Sequence, residues 1–119
     1  MARSAPSIDS YGGGGFRLSG AWHEGSVLIV ADEPREWPVT RLADVNRQTL
    51  SPVFDAGRTE VEFLLLGVGA TNALPPREVR EGLLAAGMGL EFMDTPSAAK
   101  LYNVLTSEGR RVAAALIAV

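Results

Sequence analysis

The sequence predicts an α/β protein: one three-layer domain over residues 1–119, with a mixed sheet, a parallel β-α-β-α-β portion at the carboxyl end and a β-hairpin added at the amino end. Three observations predict it. The run beginning at Phe63 ("FLLLG") and the closing "RVAAALIAV" are too uniformly apolar to be half exposed, as expected of strands covered on both faces. Between them lie two stretches whose apolar residues recur three and four apart, the period of a helix. Each stretch opens at a proline and closes at a glycine, which is the asymmetry of helix ends.

Residues 1–10 are small and polar and read as a loose arm, followed by Gly12–Gly15 as a turn. "FRLSG" then alternates like a strand, and "GSVLIV" at 25–30 is a second β-branched run, so the two are expected to pair as a hairpin across "AWHE". Pro34 and Pro38 exclude regular central pairing in "ADEPREWPVT" and place Trp37 on an irregular edge segment as a core plug. A short helix is expected from Asp44 to Gly57, with Asn46 as its N-cap and Leu50, Val53 and Phe54 on its apolar stripe.

The second half reads more clearly. "EVEFLLLG" gives a buried strand, and Pro76 fits the first turn of a helix carrying Val79, Leu83 and Ala86 on one face, closed by Gly87. "GLEFM" is a short strand at 89–93. Thr95 is expected as the N-cap of a last helix, with Pro96 first in it, Ala98, Leu101, Tyr102 and Leu105 as its stripe, and Gly109 as terminator. Right-handed crossovers then align three parallel strands.

Composition removes several function classes. The chain has no cysteine, so disulfides, thiolate metal sites and cysteine nucleophiles are excluded. A formal charge of -3, with basic residues scattered, leaves no footprint for nucleic acid. The first fifteen residues resemble neither a signal peptide nor a mitochondrial presequence, and the longest apolar run falls far short of a bilayer span of roughly 20 residues, so a cytoplasmic protein without direct membrane insertion is expected. His23 is the sole histidine and reads as a surface residue at a hairpin tip; no G-x-S-x-G, H-E-x-x-H or EF-hand pattern occurs. The inventory favours a protein that is not an enzyme and uses no cofactor or metal.

One rim of the sheet is the place to look for a ligand. Loops leaving the carboxyl ends of parallel strands share a border, and here those loops are 67–75 and 94–96, each just before a helix start that favours anions. The candidate ligand-binding residues are Gly67, Gly69, Thr71, Asp94 and Thr95. "GVGATN" has Asn72 where the dinucleotide fingerprint needs its third glycine, and Glu91 falls inside a strand rather than at its end, so a nicotinamide cofactor is not expected. The competing reading is that the glycines only turn the chain, and that Asp94 serves its neighbouring helix end. Asn103 lies off the core stripe, as either a buried polar partner or a surface residue.

"SYGGGGFRLSG", "GSVLIV", "LLLGVG" and, above all, "MDTPSAAKLYNVLTSEGRRVAAALI" resemble a small α/β family of mostly uncharacterised proteins that includes mitochondrial respiratory complex I assembly factor 3. The resemblance runs from about Ile8 to Ile117. Gly67 and Gly69 match the family's G-x-G, and Thr95, Tyr102, Asn103 and Gly109 match its closing helix pattern, while Val68 replaces a common threonine. The resemblance implies a three-layer α/β fold with no established catalytic activity. It also implies a bacterial member with protein partners, namely respiratory complex subunits or assembly proteins. Two functions stand open at this point: an interaction protein, and a small anionic-ligand binder or undiscovered enzyme using the rim.

Overall fold

The computed structural model of the chain describes residues 5–119. Its strands are β1 (Ile8–Gly12), β2 (Gly15–Leu18), β3 (Ala21–Glu24), β4 (Val27–Val30), β5 (Glu33–Glu36), β6 (Phe63–Gly67), β7 (Gly89–Met93) and β8 (Val112–Leu116). Its α-helices are α1 (Ser51–Glu60), α2 (Arg77–Ala85) and α3 (Thr95–Ser107). Five strands form a mixed sheet in the order β5-β4-β8-β6-β7, and β1-β2-β3 form a second, antiparallel sheet.

The parallel portion is as expected. β6 runs parallel to both neighbours, with Leu65 opposite Glu91 of β7 and Ala114 of β8, whereas β4 is antiparallel to β8. Alternation along the strands feeds two cores. Leu28, Val30, Leu64, Leu66, Ala113 and Ala115 face Val53 of α1 and Val79 and Leu83 of α2. Val27, Ile29, Leu65, Ala114 and Leu116 face Ala98, Ala99 and Tyr102 of α3 and Phe16 and Leu18 of β2. Both faces of the sheet are therefore covered, which accounts for the unbroken apolar runs of β6 and β8. Leu64, Leu65 and Leu66 are all fully buried, each contributing about 1.5–3 kcal/mol relative to exposure.

The amino-terminal half departs from the sequence reading in three places. Residues 1–4 of the expected arm lie outside the described residues, but Ile8–Ser10 are not loose: they belong to β1 and pair with β2. β2 pairs not with residues 25–30 but with β3, so "AWHE" is a strand and His23 sits within it. Two-residue turns explain the switch. Gly13 and Gly14 join β1 to β2 with φ of 66° and 85°, and Ser19 and Gly20 join β2 to β3 with φ of 47° and 86°. Positive φ at both central positions gives the primed turns whose twist suits tight hairpins. The added hairpin is thus a three-stranded meander, and β4 is free to join the large sheet.

The first helix begins later than expected. Asn46 accepts a hydrogen bond from the Thr49 N–H through Oδ1 (2.9 Å), while Thr49 Oγ1 accepts from the Asn46 N–H (2.9 Å). That exchange closes a single turn. Pro52 then has no N–H to continue the ladder, so α1 starts at Ser51 with Leu50, not Asn46, as its N-cap. Gly57 departs from helical geometry (φ 73°, ψ 174°), ending the regular turns where the sequence placed the stop, and one further turn reaches Glu60. Pro34 lies in edge strand β5, and Trp37 is buried, its Nε1–H donating to the Thr49 carbonyl at 2.8 Å.

Candidate functional site

The chain leaves β6 for α2 on one face of the sheet and β7 for α3 on the other. The adjacent carboxyl ends of β6 and β7 are therefore a topological switch point, the place where open α/β sheets hold ligands. The two predicted corners meet there. The Thr95 N–H donates to the Gly69 carbonyl (2.8 Å), and the Val68 N–H donates to the Met93 carbonyl (2.9 Å).

Thr95 fills the space between them. Its side chain is wholly buried. Its hydroxyl accepts from the Gly69 N–H (3.0 Å) and donates to the Ile117 carbonyl (2.8 Å), tying three strand ends to the start of α3. Gly67 permits this close approach: a Cβ there would stand 2.9 Å from Thr95 Oγ1 and 3.0 Å from both Thr95 Cα and Leu116 Cδ2. The glycine of "LLLGVG" is thus required by a threonine 28 positions later, as the 67-to-95 numbering gives.

The N-cap of α3 is Asp94, one residue before the expected Thr95. Its Oδ1 accepts from the Ser97 N–H (2.9 Å) and its Oδ2 from the Ser97 hydroxyl (3.0 Å). These bonds hold the carboxyl below the ordinary aspartate range, since they favour the charged form. An aspartate is the better cap because it accepts two donors from Ser97, which frees Thr95 to turn inward. The first-turn amides of α3 are then all engaged: Thr95 to Gly69, Ser97 to the Asp94 side chain and Ala98 to the Asp94 carbonyl, with Pro96 having none. A helix start binds anions through unpaired amides, and at α3 the chain itself takes them up.

Of the five candidates, Gly67, Gly69, Asp94 and Thr95 come together at this corner. Thr71 does not, standing exposed on the loop beyond it. Pro75 is buried and its carbonyl accepts from Arg80 Nε (3.1 Å), which anchors the far end of that loop. Two further polar groups have structural roles: Asn103, which the sequence left open as a polar partner or a surface residue, and Ser26, which it did not single out. Asn103 clamps the edge of β1, its Oδ1 accepting from the Ile8 N–H (2.8 Å) and its Nδ2 donating to the Ile8 carbonyl (2.9 Å). Ser26, nearly buried, donates to the Val39 carbonyl (2.5 Å) and accepts from the Ala118 N–H (2.9 Å).

The groove of about 670 Å³ lies at the opposite ends of β6 and β7, against the last turns of α3. Arg110 crosses it, donating to Glu62 at 3.0 Å and lying over the Phe63 ring at 5.6 Å. The Arg110 bond holds the Glu62 carboxyl below its ordinary value.

The fold and both corners bear comparison with known proteins. A family model described as "Protein of unknown function (DUF498/DUF598)" matches residues 8–117, from β1 to the residue after β8. The chain belongs to the DUF498/DUF598 family. Among its relatives, an uncharacterized protein of Rhodobacter capsulatus is 44% identical over 110 residues, covering 92% of this chain and 82% of that protein. The zebrafish (Danio rerio) NADH dehydrogenase [ubiquinone] 1 alpha subcomplex assembly factor 3 is 34% identical over 116 residues, 98% of this chain and 66% of that protein. Among solved structures, the crystal structure of an outer membrane protein from Bartonella henselae superposes with a TM-score of 0.91 at 31% identity, covering 100% of this chain and 99% of the other. No helix among the described residues is long and apolar enough to cross a membrane.

Proposed function

We propose that this chain is a non-enzymatic interaction protein that helps assemble respiratory complex I by binding its subunits or other assembly proteins. One observation carries the reading: nearly the whole chain, 98% of it, aligns at 34% identity with a protein named as a complex I assembly factor. The aligned part includes the elements that build both cores, so what is shared is the folded body. The geometry of the rim accords with this. Its hydroxyl, carboxylate and amides are spent holding β6, β8 and α3 together, a structural use of Gly67, Gly69, Asp94 and Thr95. Of the two functions left open by the sequence, binding a protein partner is therefore preferred to binding an anion at 67–75 and 94–96.

Affinity purification of the tagged chain from its native organism, after mild crosslinking, tests the reading. Complex I subunits or assembly proteins are expected to be enriched over an untagged control. Recovery of background proteins alone would count against it.

A further inference from the structure

The partner-facing element is the open edge of the large sheet. β7 closes the strand order on one side and, among the described residues, pairs as a strand only with β6. The Gly89 N–H donates to the Glu62 carbonyl (3.0 Å) and the Met93 carbonyl accepts from the Val68 N–H (2.9 Å). Backbone groups of successive residues in a strand point to opposite sides, so Gly89, Glu91 and Met93 face β6. The N–H and C=O of Leu90 and Phe92 therefore face outward, unpaired among the described residues, as a template for another strand.

Each face of this edge carries a groove. On the α2 side, about 280 Å³ is lined by Leu84, Met88, Leu90 and Phe92, with Arg80 alongside. Leu84 is 78% exposed there, a large apolar side chain turned to water. On the α3 side lies the groove of about 670 Å³ already described. Its Arg110 and Glu62 are paired with each other, which leaves Glu91 as the exposed carboxylate of the groove with no ion pair among the described residues. The opposite edge of the sheet differs. β5 reads Glu33-Pro34-Arg35-Glu36, with the proline and charges that blunt an edge.

We infer that β7 accepts an extended segment of a partner protein as a sixth strand, with apolar side chains on the α2 side and a lysine or arginine on the α3 side opposite Glu91. Main-chain bonds to Leu90 and Phe92 give the affinity, and the two grooves read alternate side chains. Charge selects the occupant. A second copy pairing antiparallel about the middle of β7 would set Glu91 against its own counterpart, and like charges directly opposite destabilise a pair. A basic residue there gains instead. The inference rests on the reading of the chain as an interaction protein and adds the class of segment it binds. Purified chain and defined peptides test it without reference to complex I, so the two can fail separately.

A phage-displayed library of random linear peptides, panned on the chain and on Glu91→Lys, is the test. Both proteins should enrich alternating apolar sequences, with basic residues in the other register for the native chain and acidic ones for the variant. The best native-selected peptide, made synthetically, should bind Glu91→Lys about fivefold or more weakly, and should slow amide exchange at Leu90 and Phe92 by NMR. Equal affinity for both proteins, protection mapped elsewhere, or no enrichment would overturn the proposal. Protection of those two amides by raising the chain's own concentration would overturn it in favour of a second copy.

Discussion

Thr95→Val is expected to destabilise the fold by about 2–4 kcal/mol, read from the urea midpoint at an unchanged slope. Valine keeps the shape and removes the hydroxyl, leaving the Gly69 N–H and the Ile117 carbonyl without the partners they have at 3.0 and 2.8 Å. An unsatisfied group left in a buried corner costs about 1–3 kcal/mol. Thr95→Ser keeps the hydroxyl and loses one methyl, so about 1 kcal/mol is expected. Gly67→Ala should cost about 1–3 kcal/mol by overpacking, because its Cβ would meet Thr95 Oγ1 at 2.9 Å. The double variant Gly67→Ala/Thr95→Ala should cost less than the sum of its single changes, since removing the threonine hydroxyl relieves the shortest of the new methyl's three close contacts, leaving those to Thr95 Cα and Leu116 Cδ2. Additive costs would mean that the two residues do not share this space.

Asn103→Leu is expected to cost about 2–3 kcal/mol, since it strips both partners from Ile8 at the edge of β1. Asn103 satisfies the Ile8 N–H and C=O at 2.8 and 2.9 Å from a position 95 residues away, joining α3 to the small sheet. Leucine has nearly the same size and offers neither a donor nor an acceptor. Asn103→Asp retains only the acceptor and should fall between. Amide exchange separates this effect from general loosening. β1 and β2 should lose protection in Asn103→Leu well before β6 and β8 do, because the central sheet keeps its own ladder and both cores.

The carboxyl-terminal half was legible because each element carries its own mark. β6 and β8 are apolar on both faces since helices cover both, and α2 and α3 are bracketed by proline and glycine. The small sheet was legible only at β2, where "FRLSG" alternates, and β3 shows why the rest was not. Ala21, Trp22 and Glu24 are all exposed, so no alternation of apolar and polar residues marks that strand. Its signal lay in the Ser19-Gly20 turn, a two-residue hairpin loop. Asn46 carried a genuine capping signal, but Pro52 interrupts the ladder before the turn it caps can become a helix.

The corner at the strand ends was half legible. Spacing alone brought 67–69 and 94–95 to one border, since parallel crossovers return each strand end to the same side. Which group would fill the space was not readable. Asp94 and Thr95 are both good caps, and only packing against Gly67 and Ile117 turns the threonine inward and leaves the cap to the aspartate. Asn103 was hidden for the same reason. Its partner is a backbone, and a backbone leaves no mark in the residue types.

The amount of assembled complex I in membranes of a strain lacking this gene tests the central claim most directly, measured by native gel with NADH dehydrogenase staining. The expected result is a severalfold loss of the full complex with subassemblies accumulating, restored by a wild-type copy. A full complex at the wild-type level in the deletion strain would contradict the account.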